Sequence, residues 1–460
     1  MKIAVINGSP KGENSITLQS LLYLEKLYGK NNEFRYLHAG QTIRALEKDF
    51  TKAEDILNWA EAIVFSYPVY TFIAPAQLHR FVELIFEHGI DLGGKFATSV
   101  STSKHFYDIT AHKYIEENAL DLGLKYVKGH SADMDDLTKP EGRGELTKFF
   151  EYFIWCAEND IHEEPKQKAP TSEKVMATLP ESTENGEKTG DVVIITDCKD
   201  ETSNLYRMIE RFRAVLPYKT RIFNIADFPF SGGCLGCFNC AVSGKCIYKD
   251  NFDTTLRESI QVADAIVYAF DIKYHSFGYR FKMYNDRNFC NGHRTVTVGM
   301  PVGYLVSGEY EREENLRMIV EGRAEVGRNF LAGVATDERD TDRRVDEMAE
   351  KLSYALEHKL ITAQNFLGVG GMKIFRDLIY QMRGMMRADH KFYKKGGYYN
   401  DFPQKHWKQS LLMYLVGFML GNEKIKKKIG GSMNDGMLMP YRKVLADLDK
   451  SLADENNQKG

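Results

Sequence analysis

Short apolar runs alternate with amphipathic stretches through the first 160 residues. KIAVIN (Lys2–Asn7), AIVFSY (62–67) and KFATSVS (95–101) each have the composition of a buried strand, and residues 15–28 carry apolar side chains at helical spacing. Continuous apolar runs that alternate with helices are typical of a parallel sheet covered on both faces. We therefore predict a doubly wound α/β domain of about five such units.

The same alternation restarts after residue 190. The segment AEAIVFSYPVYTFIAPAQLHRFVELI, which begins at Ala60, aligns in order with ADAIVYAFDIKYHSFGYRFKMYNDR, which begins at Ala263. Such self-similarity indicates an internal repeat. The second half is predicted to contain a helix at 203–215 and strands at 191–196, 263–270, 295–308 and 330–336. The fold class that follows is two tandem doubly wound parallel sheets, each with strand order 2-1-3-4-5.

Two further segments differ in composition from the repeats. Residues 161–190 are rich in Glu, Lys, Pro, Ser and Thr and read as a linker with too little apolar surface to order itself. Residues 362–460 are rich in Met, aromatic and basic residues, include KIKKK at 424–428, and are predicted to form a helical basic extension. The predicted domains are therefore 1–160 and 191–361.

Composition narrows the location and the partners. The net charge is −3, so the chain as a whole has no attraction for nucleic acid. No apolar run approaches the ~18 residues of a spanning helix, and the first apolar run is too short for a signal-peptide core. We expect a cytoplasmic protein without a transmembrane segment, in which clustered cysteines bind metal or do redox chemistry more often than they form disulfides.

The loop after the first strand, NGSPKGENSITLQ (7–19), has the chemistry of an anion site. Gly8 permits a tight turn, and Ser9, Asn14, Ser15 and Thr17 supply polar side chains at the start of a helix, whose N–H groups attract anions. The loop has neither the Gly-Lys-Ser/Thr ending of a phosphate-binding P-loop nor a G-x-G-x-x-G pattern. It therefore favours a monophosphate over a dinucleotide, and an ordinary strand-to-helix turn is the alternative.

Two more loops end strands on the same edge of the predicted sheet. In SYPVYTFIAP (66–75), Pro68 stiffens the loop, Tyr70 and Phe72 can lie along a flat ring, and the amides of Val69 and Tyr70 are predicted to reach its polar edge. STSKHFYD (101–108) follows the fourth strand. Ligands of such open sheets bind at the carboxyl ends of the strands, and flavodoxin-type sheets of order 2-1-3-4-5 hold FMN between strands one and three.

The first half resembles the NADPH-dependent FMN reductases of the flavodoxin-like superfamily in GSPKGENS after the first strand, PVY after the third strand and LHRFVELI behind it, whereas its third loop lacks the glycine-rich composition common in that family. The resemblance implies that the first loop holds the FMN phosphate through Ser9, Lys11, Ser15 and Thr17, with Pro10 and Asn14 in the same loop. It implies ring contacts from the second loop and further contacts from the third; these residues are Pro68, Val69, Tyr70, Phe72, Ser101 and Thr102. It also implies NAD(P)H as the electron donor.

Four of the seven cysteines lie in GCLGCFNCAVSGKC (233–246) with the spacing C-x2-C-x2-C-x5-C; they are Cys234, Cys237, Cys240 and Cys246. Three thiolates at this spacing favour an iron–sulfur cluster over structural zinc, which usually uses two separated C-x2-C pairs. A patch of thiols without metal is the third alternative. The motif resembles that of the iron–sulfur flavoproteins of the same family, which implies a 4Fe–4S cluster that exchanges electrons with FMN.

The second half lacks a matching phosphate loop. TDCKDETSNLY (196–206) has no Gly-Ser-Pro, and Asp197, Asp200 and Glu201 would repel a phosphate. Asp271 stands where the first half has Pro68. One half thus carries the flavin loops and the other carries the cysteines.

The predicted function is an NAD(P)H-dependent FMN oxidoreductase that passes electrons through a 4Fe–4S cluster to a small molecule or a protein. No catalytic residue stands out; Tyr70 and His105 are candidate proton donors. One alternative is a non-enzymatic electron carrier reduced by a ferredoxin-like protein, and another is a redox sensor or scaffold with a zinc or thiol patch. A homo-oligomer is left open.

Overall fold

The computed structural model describes residues 1–165, 173–180, 188–420 and 433–458. The predicted KIKKK segment and parts of the predicted linker lie outside these residues.

The first half forms one parallel sheet covered by helices. Its strands are β1 (Lys2–Asn7), β2 (Glu33–Leu37), β3 (Ala62–Pro68), β4 (Phe96–Ser103), β5 (Lys125–Tyr126) and β6 (His130–Asp133). Its helices are α1 (Ile16–Tyr28), α2 (Ala39–Leu46), α3 (Thr51–Trp59), α4 (Ala76–Glu87), α5 (Asp108–Asp121) and α6 (Pro140–Glu158). The strand order is β2-β1-β3-β4-β5, with β6 paired to β4, which confirms the predicted order.

The second half repeats this arrangement. Its strands are β7 (Thr189–Thr196), β8 (Tyr218–Asn224), β9 (Ala265–Asp271), β10 (Val302–Ser307) and β11 (Leu331–Thr336). Its helices are α7 (Asn204–Val215), α8 (Asn239–Ser243), α9 (Phe252–Thr255), α10 (Gly278–Arg287), α11 (Glu314–Gly327) and α12 (Thr341–His358), with one π-helical turn at Leu256–Ile260. The order β8-β7-β9-β10-β11 is again 2-1-3-4-5 within this half, and its strand pairs are parallel.

Helices follow the second sheet: α13 (Phe366–Gln381), α14 (Arg387–Lys395), α15 (Trp407–Leu420) and α16 (Met433–Gln458). The chain divides into one compact unit at Met1–Tyr393, which holds both sheets and α13, and a second unit at Lys394–Gly460. The helical C-terminal region is thus confirmed. No described helix is both long and apolar enough to cross a membrane.

One predicted strand is shorter than its sequence suggests. Residues 295–308 alternate in a strand-like way, but β10 begins only at Val302. The valines at 296 and 298 are exposed, and a turn closed by the hydrogen bond from Met300 N to Thr297 O (3.1 Å) precedes the strand. The alternation of apolar and polar residues predicted a strand here, but residues 295–301 pair with no strand of the described chain.

The two halves meet through helices at equivalent places in the repeat. α4 of the first half packs on α10 of the second. The carboxylate of Glu83 in α4 accepts a hydrogen bond from Tyr279 N (2.7 Å), and the carboxylate of Asp286 in α10 accepts one from Ala76 N (2.8 Å). The aligned segments place Glu83 opposite Asp286 and Ala76 opposite Tyr279. Such a reciprocal exchange is the signature of an isologous interface, here formed within one chain.

The loops that precede these helices repeat as well. Tyr70 and Ile73 exchange backbone hydrogen bonds around Thr71 and Phe72, which both have positive φ (39° and 78°). Lys273 and Ser276 do the same around Tyr274 (φ 50°) and His275 (φ 61°). The structure therefore confirms the sequence alignment down to single backbone conformations.

Candidate functional site

A cavity of about 200 Å³ lies where the two halves meet, and we call it the junction cavity. It brings together three loops. The phosphate loop (residues 7–19) and the ring loop (66–75) belong to the first half, and the cysteine loop (231–246) belongs to the second half. From the predicted site it contains Ser9, Lys11, Ser15, Thr17, Pro68, Val69, Tyr70, Thr102, Cys234, Cys237, Cys240 and Cys246.

The phosphate loop is shaped by its own side chains. The buried Asn7 amide donates to Gly12 O (2.9 Å) and accepts from Ser9 N (3.1 Å). Ser15 caps α1 by accepting a hydrogen bond from Leu18 N. Gly8 is required because a Cβ atom there would lie 2.7 Å from the Leu78 side chain. The loop thus presents buried hydroxyls and a helix N-terminus toward the cavity, which suits a phosphate.

The ring loop uses its backbone differently from the prediction. Val69 N donates to Thr102 O (3.1 Å) and Tyr70 N donates to Ile73 O (2.8 Å). In this structure the neighbouring strand therefore bonds the Val69 amide and the tight turn bonds the Tyr70 amide. Pro68 and the side chain of Tyr70 still line the cavity.

A buried cation from the second half holds this loop in place. Lys282, fully buried, donates to Tyr70 O (2.7 Å) and to Thr71 Oγ1 (2.8 Å), and it pairs with Asp286, also fully buried. Thr71 Oγ1 in turn donates to the Asp286 carboxylate (2.5 Å). The position of the first half's ring loop therefore depends on a helix of the second half.

Five predicted residues lie outside the junction cavity. Pro10 lines a separate groove, Asn14 is exposed, and Phe72 faces a second cavity described below. Ser101 is fully buried and hydrogen-bonds His112 Nε2 (2.8 Å). His105 is exposed, with Nδ1 2.7 Å from Asp108 Oδ2. Tyr70 is therefore the candidate proton donor that lines the cavity.

The cysteine loop is clamped from both halves. Arg287, almost fully buried, donates to Gly232 O (2.9 Å) and forms a bidentate pair with Asp250 (2.8 Å for each bond). From the first half, Arg44 donates to Ser231 O and Gln77 donates to Cys234 O (3.3 Å). A long, glycine-rich loop is thereby held against the first half.

Close approaches show how near the two sets of loops are. Lys11 Nζ lies 5.9 Å from the centre of the Phe238 ring. At Gly236, which has φ of 60°, a Cβ atom would lie 2.0 Å from the Tyr70 hydroxyl. The ring loop and the cysteine loop are therefore in direct contact.

The sulfur spacing bears on which metal group fits. A tetrahedral zinc site would place its thiolates roughly 3.8 Å apart, given Zn–S bonds of about 2.3 Å. Among the described residues, which include all four cysteines, no three thiol sulfurs lie within 4.8 Å of one another. A cluster in which each thiolate binds a different iron needs a wider spacing. The four sulfurs are therefore not arranged as a closed tetrahedral zinc site.

The thiols also need a positive charge to ionise. Burial raises the pKa of Cys234 to about 12, and nearby Asp286 adds to the rise. Burial raises the pKa of Cys240 to about 11, with further contributions from Asp389 and from neighbouring thiols. The N–H of Gly236 donates to Cys234 Sγ (3.5 Å), a contact that favours the thiolate. Bound metal ions would supply positive charge that stabilises the thiolates.

Sequence reasoning missed one wall of the cavity. It is formed by Phe106, Phe289, His293 and, from α13, Ile374, Phe375 and Leu378. The ring of His293 is fixed by Asp389, whose buried carboxylate lies 3.1 Å from Nδ1 and also accepts from the His293 backbone N–H (3.2 Å). No local spacing marks these residues; only the apolar face of α13 hinted that the helix packs against something.

In the second half, residues 173–180 lie over the position that corresponds to the phosphate loop of the first half. Within the predicted linker, residues 173–180 lie near the strand ends: Val175 N donates to Asp337 O, Ala177 N donates to Asn204 Oδ1, and Lys174 Nζ donates to Ser307 Oγ (2.8 Å each). Ala177 is fully buried, so this part of the stretch is packed, contrary to the expectation from its composition. The polar groups at the start of α7 are therefore bonded to the chain's own backbone.

A comparison with known protein families finds a match within the first half of the chain. Residues 1–135 match the family described as having a flavodoxin-like fold. The first half has a flavodoxin-like fold. No curated protein matches the chain.

Similar solved structures each align with about a third of the chain. An NADH:FMN oxidoreductase in its apo form has 18% identity over 36% of this chain and 91% of that protein, with a TM-score of 0.30. An NAD(P)H:quinone oxidoreductase from Methanothermobacter marburgensis has 13% identity over 36% of this chain and 99% of that protein, with a TM-score of 0.28. A flavoenzyme NAD(P)H:acceptor oxidoreductase from Paracoccus denitrificans has 17% identity over 34% and 97%, with a TM-score of 0.28.

Proposed function

We propose that this chain is an NAD(P)H-dependent flavin oxidoreductase with one FMN site in its first half and a 4Fe–4S cluster in its second half. The observation that carries the proposal is the junction cavity, because it is lined at once by the flavodoxin-like loops and by the four cysteines. A flavin accepts two electrons from a nicotinamide, whereas a cluster carries one electron at a time, so the pair would convert between the two.

The residues of the cavity have distinct roles in this proposal. Ser9, Ser15 and the N-terminus of α1 would hold the FMN phosphate, with Lys11 supplying positive charge. Pro68 and Tyr70 would support the ring. The four cysteines would hold the cluster beside it, since the loops that carry the two groups touch at Gly236 and Tyr70.

The electron acceptor is a small molecule or a protein. The cavity has an aromatic wall that includes Phe106, Phe289 and Phe375, which suits a planar organic acceptor such as a quinone or a nitroaromatic compound. Cys237 is exposed, which also leaves a path to a ferredoxin-like partner.

Cofactor analysis of anaerobically purified protein tests the proposal. We expect about one FMN and about four irons per chain. Cys240→Ser should lose iron, whereas Cys198→Ser, a matched control outside the motif, should keep it. Ser15→Ala should lower FMN content, whereas Ser20→Ala, a control on the same helix, should not. Full flavin reductase activity in iron-free protein would overturn the role of the cluster.

Visible spectra separate the enzyme from the carrier. Rapid bleaching of the flavin by NADH or NADPH supports the oxidoreductase. Bleaching only by reduced ferredoxin would show instead that the chain is an electron carrier.

A further inference from the structure

A second cavity, of about 210 Å³, lies within the second half, and we call it the tyrosine–arginine cavity. It is bounded by β9, β10, α11 and the loop after α10. Apolar side chains form most of its walls: Phe72, Leu256, Ile260, Ile266, Val302 and Val326. Neither the phosphate loop nor the four cysteines line it.

Arg323 brings a positive charge into this cavity without a counter-charge. Its guanidinium is half-buried and forms neither an ion pair nor a hydrogen bond with any described residue. Its guanidinium carbon lies 5.9 Å from the centre of the Phe72 ring. The other arginine at this cavity, Arg294, is paired with Asp389 (3.4 Å). One unit of positive charge is therefore left unbalanced.

Two phenol groups lie beside this charge. The rings of Tyr268 and Tyr304 stack with their centres 5.1 Å apart, and neither hydroxyl is hydrogen-bonded to a described residue. Burial raises the pKa of both phenols, and the charge of Arg323 opposes that rise, so the guanidinium acts on both hydroxyls. A ligand that accepts hydrogen bonds can therefore pair with both hydroxyls and with the guanidinium.

These features indicate the charge and shape of the ligand that the cavity would bind. The planar guanidinium matches a carboxylate in bidentate geometry, and a single negative charge balances a single arginine, whereas a phosphate dianion would leave an excess. The stacked tyrosines and the Phe72 wall suit a flat ring. A cavity of 150 Å³ is large enough to hold benzene, so 210 Å³ accommodates a ring that carries a carboxylate.

We propose that the tyrosine–arginine cavity binds a small aromatic carboxylate, with its carboxylate on Arg323 and within reach of the hydroxyls of Tyr268 and Tyr304. The site is independent of the flavin and of the cysteines. It does share a wall with the ring loop, because Phe72 belongs to that loop and packs against Tyr107 (ring centres 4.4 Å apart). Occupancy of the cavity would therefore restrain a residue next to the junction cavity.

Calorimetric titration of the full chain with benzoate tests this inference, with benzamide as the neutral analogue of the same shape. We expect benzoate to bind once per chain and benzamide to bind at least about tenfold more weakly, since a charged pair is lost. Arg323→Met should weaken benzoate binding by a similar factor, whereas Arg328→Met, at the exposed end of the same helix, should not.

Three results would overturn the inference. They are equal affinity for benzoate and benzamide, unchanged benzoate affinity in Arg323→Met, and no benzoate binding at millimolar concentration. The comparison of benzoate with benzamide uses the unaltered protein, so it stands even where a variant fails to fold.

Discussion

Replacing His275 by glutamine should weaken the contact between the two halves in a way that depends on pH. His275 lies in the second half's copy of the ring loop, and its Nε2 is 3.2 Å from the Asp121 carboxylate of the first half. Its Nδ1 is 3.1 Å from both carboxylate oxygens of Glu313. Burial lowers the pKa of His275, but the bonds to Asp121 and Glu313 outweigh burial and raise the pKa to about 10.

The sign and size of the effect follow from that shift. Because the folded pKa lies above the value of 6.5 for an unperturbed histidine, the stabilisation is complete below about pH 6.5 and is lost as the pH rises through about 10. The difference between the two values corresponds to at most roughly 5 kcal/mol. The side chain is 24% exposed, so water screens part of this, and we expect about 1–3 kcal/mol.

Urea unfolding of the native protein and of His275→Gln at about pH 6, 8 and 10 measures the effect. The free energy of unfolding should differ between the two proteins by about 1–3 kcal/mol at pH 6, by less at pH 8, and by little at pH 10. His358→Gln, which removes an exposed histidine at the end of α12, is the control and should change nothing. A difference that is the same at all three pH values would refute the reasoning.

Three further changes probe the junction between the halves. Gly236→Ala should destabilise the protein by about 1–2 kcal/mol or more, because of its positive φ and the clash with Tyr70; adding Tyr70→Phe should recover part of the loss in thermal unfolding. Burial raises the pKa of Glu83 from 4.5 to about 7, so stability falls as the pH rises from about 4.5 to 7 and the loss is complete above about 7; Glu83→Gln, which can still accept from Tyr279 N, should raise the free energy of unfolding by about 1–2 kcal/mol at pH 8 and by less at pH 5. Lys282→Met should cost about 3–5 kcal/mol in urea unfolding, because it leaves the buried Asp286 unpaired, and an unchanged value would contradict the role given to this pair.

The sequence was most informative where structure depends on neighbouring residues alone. Buried parallel strands are apolar over their whole length, so β1, β3, β4, β7 and β9 could be located from composition, and the repeat followed from their order. The phosphate loop and the cysteine loop were recognisable because each gathers its polar groups within a few residues.

What the sequence did not reveal depends on contacts between distant segments. His293 takes its importance from Asp389, nearly a hundred residues away, and α13 lines the cavity only because it packs on α11. Val69 and Tyr70 offered two amides that looked available, but a turn and a neighbouring strand had already bonded them. The sequence also does not show that Arg323 forms no ion pair with any acidic side chain of the described residues, because that depends on how distant segments pack.

The reciprocal caps between α4 and α10 have a consequence for how this chain changes over generations. In a homodimer encoded by one gene, every substitution appears in both subunits, so an interface carboxylate is altered on both sides at once. Here Glu83 and Asp286 occupy matching places but already differ by a methylene, and each can mutate while the other holds the contact. With both copies in one chain, each can change separately, and here one carries the phosphate loop while the other carries the cysteines.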